Sequence, residues 1–164
     1  MANEWTQFRK QVQEALGELV EGRSDPFKAL WSHTEDVSIM GAFGGYERGW
    51  SQVGPRLDWA GGRIGATHRS VENILTVVGE ELACTVDLER MERPVDGRTT
   101  LRVLRCTQVY RREDDDWKVI HRHADEVAET ACASDVNAGI KMGQLVELSR
   151  DKTGTAEPAS DRPD

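Results

Sequence analysis

Trp5, Phe8, Val12, Ala15, Leu16, Leu19 and Val20 recur at steps of three and four residues, which puts them on one face of a helix and leaves polar side chains on the other. Gly22 ends that run. Ser24 and Asp25 then offer N-cap side chains and Pro26 a first-turn proline, so a short second helix is expected, carrying Phe27, Leu30 and Trp31 inward and ending near Ser32 and His33. From Asp36 to Phe43 the pattern changes to alternation, with Val37, Ile39 and Phe43 on one side and Asp36, Ser38 and Met40 on the other, as in a strand with two unlike faces. Gly44-Gly45 turns the chain. Tyr46 to Ala60 predicts a third helix with Trp50, Val53 and Leu57 in register, kinked by Pro55 and stopped by Gly61-Gly62.

Three hairpin connections follow, at Gly79-Glu80-Glu81, Pro94-Val95-Asp96-Gly97 and Glu113-Asp114-Asp115-Asp116, each flanked by β-rich runs. They predict four consecutive antiparallel strands at about Val71–Val78, Leu82–Arg93, Thr99–Arg112 and Trp117–Asp125. Helices first and strands afterwards is the order of an α+β domain, here expected over residues 1–125. Beyond it, Val136, Ile140, Leu145 and Leu148 suit a C-terminal helix within an extension at 126–150. Residues 151–164 have almost no apolar side chain to offset ordering entropy and predict a disordered tail.

Composition narrows the partners. The chain of 164 residues carries 21 basic and 29 acidic side chains, a net charge of −8, which leaves no surplus of positive charge for nucleic acid or an anionic membrane. No apolar run is long enough to span a bilayer and the start lacks a signal-peptide pattern, so the expected location is cytoplasmic. Cys84, Cys106 and Cys132 show no Cys-x-x-Cys spacing, which argues against a disulfide framework or a zinc knuckle. No phosphate loop, nucleophile elbow or cysteine nucleophile motif occurs, and no cofactor is expected.

Several of these segments together resemble the nuclear transport factor 2-like superfamily, in particular its SnoaL-like branch. The parts are the first helix followed by Asp25-Pro26-Phe27 and Leu30-Trp31, the strand from Asp36 to Gly41 running into Gly44-Gly45 and Trp50, and the closing pattern from Thr107–Tyr110 to Trp117–Asp125. That closing pattern is also similar to the association (hub) domain of calmodulin-dependent protein kinase. The resemblance implies a cone-shaped, curved antiparallel sheet with the N-terminal helices on its concave face, a pocket inside the cone, and a homodimer. Functions hosted by the fold include ketosteroid isomerases, dehydratases and polyketide cyclases, and also domains that only bind or assemble. The hub pattern has an arginine where this chain has Glu89.

Candidate chemistry clusters at His121-Arg122-His123-Ala124-Asp125, where alternation puts His121, His123 and Asp125 on one face with Trp117 and Val119. Imidazoles in a pocket suit proton transfer, with His123 as candidate base; as structural groups they would simply be hydrogen-bonded at the sheet end. One ion held by all three would need improbable convergence along a strand, so no metal is expected. His33 and Asp36 sit at the helix-to-strand junction, which in the resembled enzymes is near the pocket mouth, and either is a second candidate base or a solvated surface group. Glu89 and Arg105 on neighbouring strands suggest an ion pair that would anchor a carboxylate or enolate, or serve architecture alone. Trp31, Trp50 and Trp59 are expected around one cavity and Tyr46 as a hydrogen-bond donor to a ligand, the alternatives being core packing and a helix start. Two functions follow: a cofactor-independent isomerase, dehydratase or cyclase acting by acid–base chemistry on a small hydrophobic or aromatic molecule, or a non-catalytic domain that binds a small anion or oligomerises.

Overall fold

The computed structural model describes residues 2–127. The first helix, α1 (Ala2–Val20), buries the predicted stripe, with Val12 and Leu16 almost fully enclosed. It ends where Gly22 takes a φ of +98°, and the N–H groups of Gly22 and Arg23 close on the carbonyls of Leu19 and Glu18, the paired bonds of a Schellman stop. The short α2 (Asp25–Ala29) follows with Pro26 in its first turn. Ser24 does not cap it through its side chain; its hydroxyl instead donates to Asp58.

The predicted strand at 36–43 is reduced to β1 (Ser38–Met40), and Gly44 and Gly45, both at positive φ, turn it into β2 (Glu47–Arg48). The third helix differs at both ends from expectation. α3 (Trp50–Ile64) starts four residues later than Tyr46, and it runs through Pro55 and both glycines to stop at Gly65, whose φ is +56°. Gly61 is a contact residue rather than a terminator: a Cβ there would sit 3.2 Å from Leu19 Cδ1, so its absence lets α1 and α3 approach.

The four long strands are β3 (His68–Val78), β4 (Leu82–Val95), β5 (Arg98–Glu113) and β6 (Asp116–Glu126), consecutive and antiparallel as predicted. In the sheet the order is β2-β1-β6-β5-β4-β3, so the two short strands extend the β6 edge, β1 lying parallel to β6 with Ser38 opposite His121. Backbone bonds between Leu30, Ser32 and Val119 tie the end of the α2 segment to the same strand. The curved sheet and its helices make an α+β cone, with the helices over the inner face. Two apolar clusters fill that interior, one around Trp5, Phe8, Leu16, Phe27, Trp31, Val53, Tyr110 and Trp117, the other around Val20, Met91, Leu104, Cys106 and Ala124. The predicted C-terminal helix and tail lie outside the described residues. Among the described residues no helix is long and apolar enough to cross a membrane.

Two hairpins close with two-residue turns in which both central residues have positive φ: Asp96 and Gly97 at 49° and 75°, Asp114 and Asp115 at 46° and 71°. This is the turn hand that matches strand twist, and it favours glycine at the second position. Asp115 occupies that position without the benefit, so Asp115→Gly is expected to raise stability by about 0.5–1 kcal/mol in urea unfolding, with the slope m unchanged.

Candidate ligand-binding site

The site is shaped by one extra residue. Along the β5–β6 ladder Tyr110 is opposite Val119 but Val109 is opposite His121, which leaves Ile120 as a bulge. Because side chains alternate across a strand, one inserted residue exchanges the faces of everything beyond it. Trp117 and Val119 point inward; past the bulge, Arg122 and Ala124 do so. The expectation that His121, His123 and Asp125 share a face with Trp117 and Val119 is therefore corrected: the three stay together, but on the outer face. There His121 Nδ1 is 2.8 Å from Ser38 Oγ and His123 Nε2 is 3.2 Å from Asp125 Oδ2. Burial, helped by the charge of His123, pushes the His121 imidazole below its ordinary value.

Inside, a polar belt lies between the two apolar clusters: Thr85, Asp87 and Glu89 from β4, Gln108 from β5 and Arg122 from β6, all buried. Glu89, 1% exposed, accepts two hydrogen bonds from Arg122, Nη1 to Oε1 at 3.0 Å and Nη2 to Oε2 at 2.9 Å. Arg69 of β3 adds a contact from its Nη2 to Oε1 at 3.0 Å. Burial by itself would raise the Glu89 carboxyl, but the Arg122 and Arg69 guanidinium groups outweigh it and hold the pKa down at about 2. Cys106 Sγ is 3.4 Å from Arg122 Nη2, and burial pushes this thiol up to about 12, so it is neutral. Asp87 is held separately, by Arg9 Nη2 at 3.1 Å and Asn73 Nδ2 at 2.7 Å, while Arg9 Nη1 donates to the Tyr110 hydroxyl at 2.6 Å.

Above this belt, on the side of the second apolar cluster, is a cavity of about 70 Å³. Leu16, Leu19 and Val20 of α1, Leu57, Ala60 and Ile64 of α3, and Met91, Leu104 and Ala124 of the sheet make its walls. Glu89 and Arg122 form its polar floor, and Phe43, Arg56 and Arg102 stand nearer the surface.

Of the side chains proposed from the sequence as catalytic or ligand-binding, only Glu89 is among the described residues that line this cavity. Its partner is Arg122 and not Arg105, because the two-residue turn at Asp96-Gly97 sets Glu89 opposite Leu104 and leaves Arg105 on the other face, 4.0 Å from Asp125. His33 is exposed and stacks on Trp50 with ring centroids 3.9 Å apart, outside the cavity. Asp36 is also exposed, and hydrogen bonds from Arg111 and Thr34 hold its carboxyl well below the usual carboxylate range. Tyr46 is 74% exposed and Trp31 is packed in the first apolar cluster. Sequence reasoning missed Arg122, Arg69, Arg56 and Arg102. For Arg122 a signal did exist: the inward apolar positions of β6 pass from odd (Trp117, Val119) to even (Ala124). Arg69 lay before the predicted start of its strand. Among the described residues no three His, Cys, Asp or Glu side chains are arranged to hold a metal ion.

A curved sheet wrapped around three helices, with a polar belt beneath an apolar cavity, defines a cone-fold domain of the nuclear transport factor 2-like kind. The sequence model of the SnoaL-like domain matches residues 10–128, and the chain belongs to that family. Among solved structures it is similar to a candidate calcium/calmodulin-dependent protein kinase type II association domain from Thiobacillus denitrificans, with 19% identity, a TM-score of 0.63, and coverage of 74% of this chain and 93% of the other. A candidate dehydratase of the nuclear transport factor 2-like family from Streptomyces avermitilis gives 17% identity and a TM-score of 0.61 over 77% of this chain and 96% of its own. A nuclear transport factor 2-like superfamily protein from Salmonella enterica gives 19% and 0.57 over 78% and 96%. No curated protein sequence matches the chain.

Replacing Glu89 by Gln leaves two buried guanidinium charges facing a neutral amide, so Glu89→Gln is expected to cost about 3–5 kcal/mol in chemical unfolding. Because the folded pKa is depressed, the stabilisation from this carboxylate is present above the unfolded value near 4.5 and is lost as pH falls toward about 2. Wild-type stability is expected to decline through that window, and a variant that folds with Glu89→Gln should show a shallower decline.

Proposed function

We propose that this protein is a small-molecule-binding domain that holds the apolar body of a compact ligand in the cone cavity without converting it. The observation that carries the reading is the state of Glu89, the only carboxylate among the described lining residues: it is ionised and already engaged by two guanidinium groups. A general base needs a pKa near working pH and a free lone pair aimed at substrate, and a carboxylate held at about 2 offers neither. The other candidate acids and bases, His123, His33 and Asp36, are outside the cavity, which weakens an isomerase, dehydratase or cyclase reading despite the likeness to a candidate dehydratase. Apolar walls with a few fixed polar groups are instead the usual composition of a recognition pocket.

The outer face of the sheet supports a homodimer. Leu75, Val77 and Leu82 are more than half exposed there, and they adjoin half-buried Cys84, Val86, Leu88 and Val109. An exposed apolar sheet face of this kind is a surface that a second copy can cover across a two-fold axis. Sedimentation of the wild-type protein is expected to give a dimer, and Val86→Glu at the centre of the face a folded monomer; a monomeric wild type at micromolar concentration removes the interface.

For the cavity, 1-hexanol serves as a neutral apolar probe. It is expected to raise the melting temperature of the wild type and to leave Ala60→Phe, which fills the cavity from α3, unmoved. Equal shifts for both proteins would place the alcohol elsewhere. Any compound found in a metabolite thermal-shift screen is expected to be recovered unchanged by NMR after prolonged incubation, and its conversion would overturn the non-catalytic reading.

A further inference from the structure

The cavity opens beside a cluster that neither the apolar walls nor the polar floor requires. Phe43 and Trp59 are 39% and 37% exposed and meet edge to face, with ring centroids 5.3 Å apart. Arg56 lies 4.4 Å and Arg63 4.2 Å from the centroid of the Trp59 ring, and Arg102 lies 5.4 Å from that of Phe43. Phe43, Arg56 and Arg102 are themselves cavity-lining residues, so cluster and cavity are continuous. Three guanidinium groups on one small rim are unusual in a chain with a net charge of −8.

The three differ in how far they are neutralised. Arg102 makes a bidentate pair with Glu126, at 2.9 and 2.7 Å. Arg56 is 3.4 Å from Glu47 and donates to the Gly44 carbonyl at 2.6 Å. Arg63, exposed in the last turn of α3, has only the Trp59 carbonyl at 3.3 Å and the Trp59 ring; among the described residues no carboxylate pairs with it. The floor, by contrast, has its carboxylate and guanidinium groups bonded to each other. Among the described residues, Arg63 thus brings to the mouth a guanidinium without a paired carboxylate, and its fork geometry suits a planar or tetrahedral oxyanion.

We infer that the ligand of this cavity is an amphiphile: its apolar body lies between α1, α3 and the sheet, and its phosphate or carboxylate head stays at the rim against Arg63 and Arg56, over Trp59. This rests on the reading of the cavity as a ligand site and adds the ligand's head group and direction of entry. The ring faces hold the guanidinium groups in place before the ligand arrives, which lowers the ordering cost of a surface charge contact.

Hexyl phosphate, 1-hexanol and inorganic phosphate separate the parts. By isothermal titration hexyl phosphate is expected to bind about tenfold or more tightly than 1-hexanol. Inorganic phosphate alone should bind weakly, since it has no body to bury. Arg63→Gln, an exposed substitution, should remove most of the advantage of hexyl phosphate and leave 1-hexanol unchanged. Equal affinity of hexyl phosphate and 1-hexanol, or an advantage that survives Arg63→Gln, overturns the head-group assignment while leaving the cavity reading intact. Binding of neither compound overturns the cavity reading and this inference with it.

Discussion

A carboxylate taken almost entirely out of water is costly to keep ionised, by several kcal/mol after relaxation, unless other charges and hydrogen bonds replace its hydration. Glu89 meets that condition because guanidinium groups reach it from both sides, Arg122 from β6 and Arg69 from β3, while it stands on β4. The triad spans the long-stranded part of the sheet. It also connects indirectly to α1, since Arg69 Nη2 donates to Gln13 Oε1 at 2.9 Å. A second pair, Arg9 with Asp87, joins the same helix to the same strand farther along. Charged contacts that tolerate little displacement thus fix α1 over the sheet together with its buried apolar stripe.

Arg122 can take part only because of the bulge at Ile120. Had the β5–β6 ladder continued in register, the imidazoles of His121 and His123 would have entered the cone and Arg122 would have faced out. The interior would then hold titratable groups near neutral pH beside a buried carboxylate, the composition of an acid–base site. As built, the cavity floor holds the Arg122 guanidinium, the Glu89 carboxylate with a pKa of about 2 and, beside them, the neutral Cys106 thiol, none of which changes charge around pH 7. One residue of local geometry separates the two kinds of interior.

Much of the architecture was legible in the sequence because it depends on periodicity and turn chemistry. The α1 stripe, the Gly44-Gly45 turn and the three hairpins each come from a local rule, and they gave the order and approximate bounds of the long strands. The pairing of Glu89 was partly legible too. A two-residue turn makes paired positions sum to an odd number, so Glu89 and Arg105, both odd, are never directly opposite, and Asp-Gly is the signature of such a turn. The bulge was not legible by alternation, because alternation assumes no insertion; only the parity change from Val119 to Ala124 hints at it. Gly61 misled for a different reason. Glycine as helix terminator and glycine as close-contact residue look alike until the neighbouring helix is in place.

The direction in which a ligand would lie follows from where charge is already balanced. At the floor a guanidinium–carboxylate pair presents matched donors and acceptors, so a charged ligand group arriving there would have to break bonds worth as much as those it makes. An apolar or weakly polar end incurs no such loss, since it only displaces contact with Leu, Met and Ala side chains of the walls. At the rim the balance is reversed: Arg63 has an aromatic face and a carbonyl but no counter-ion among the described residues, so an oxyanion gains a charge-assisted contact without competing with one already made. On the proposed reading, apolar walls below and a basic rim above suit the cone to a molecule with one oily end and one charged end.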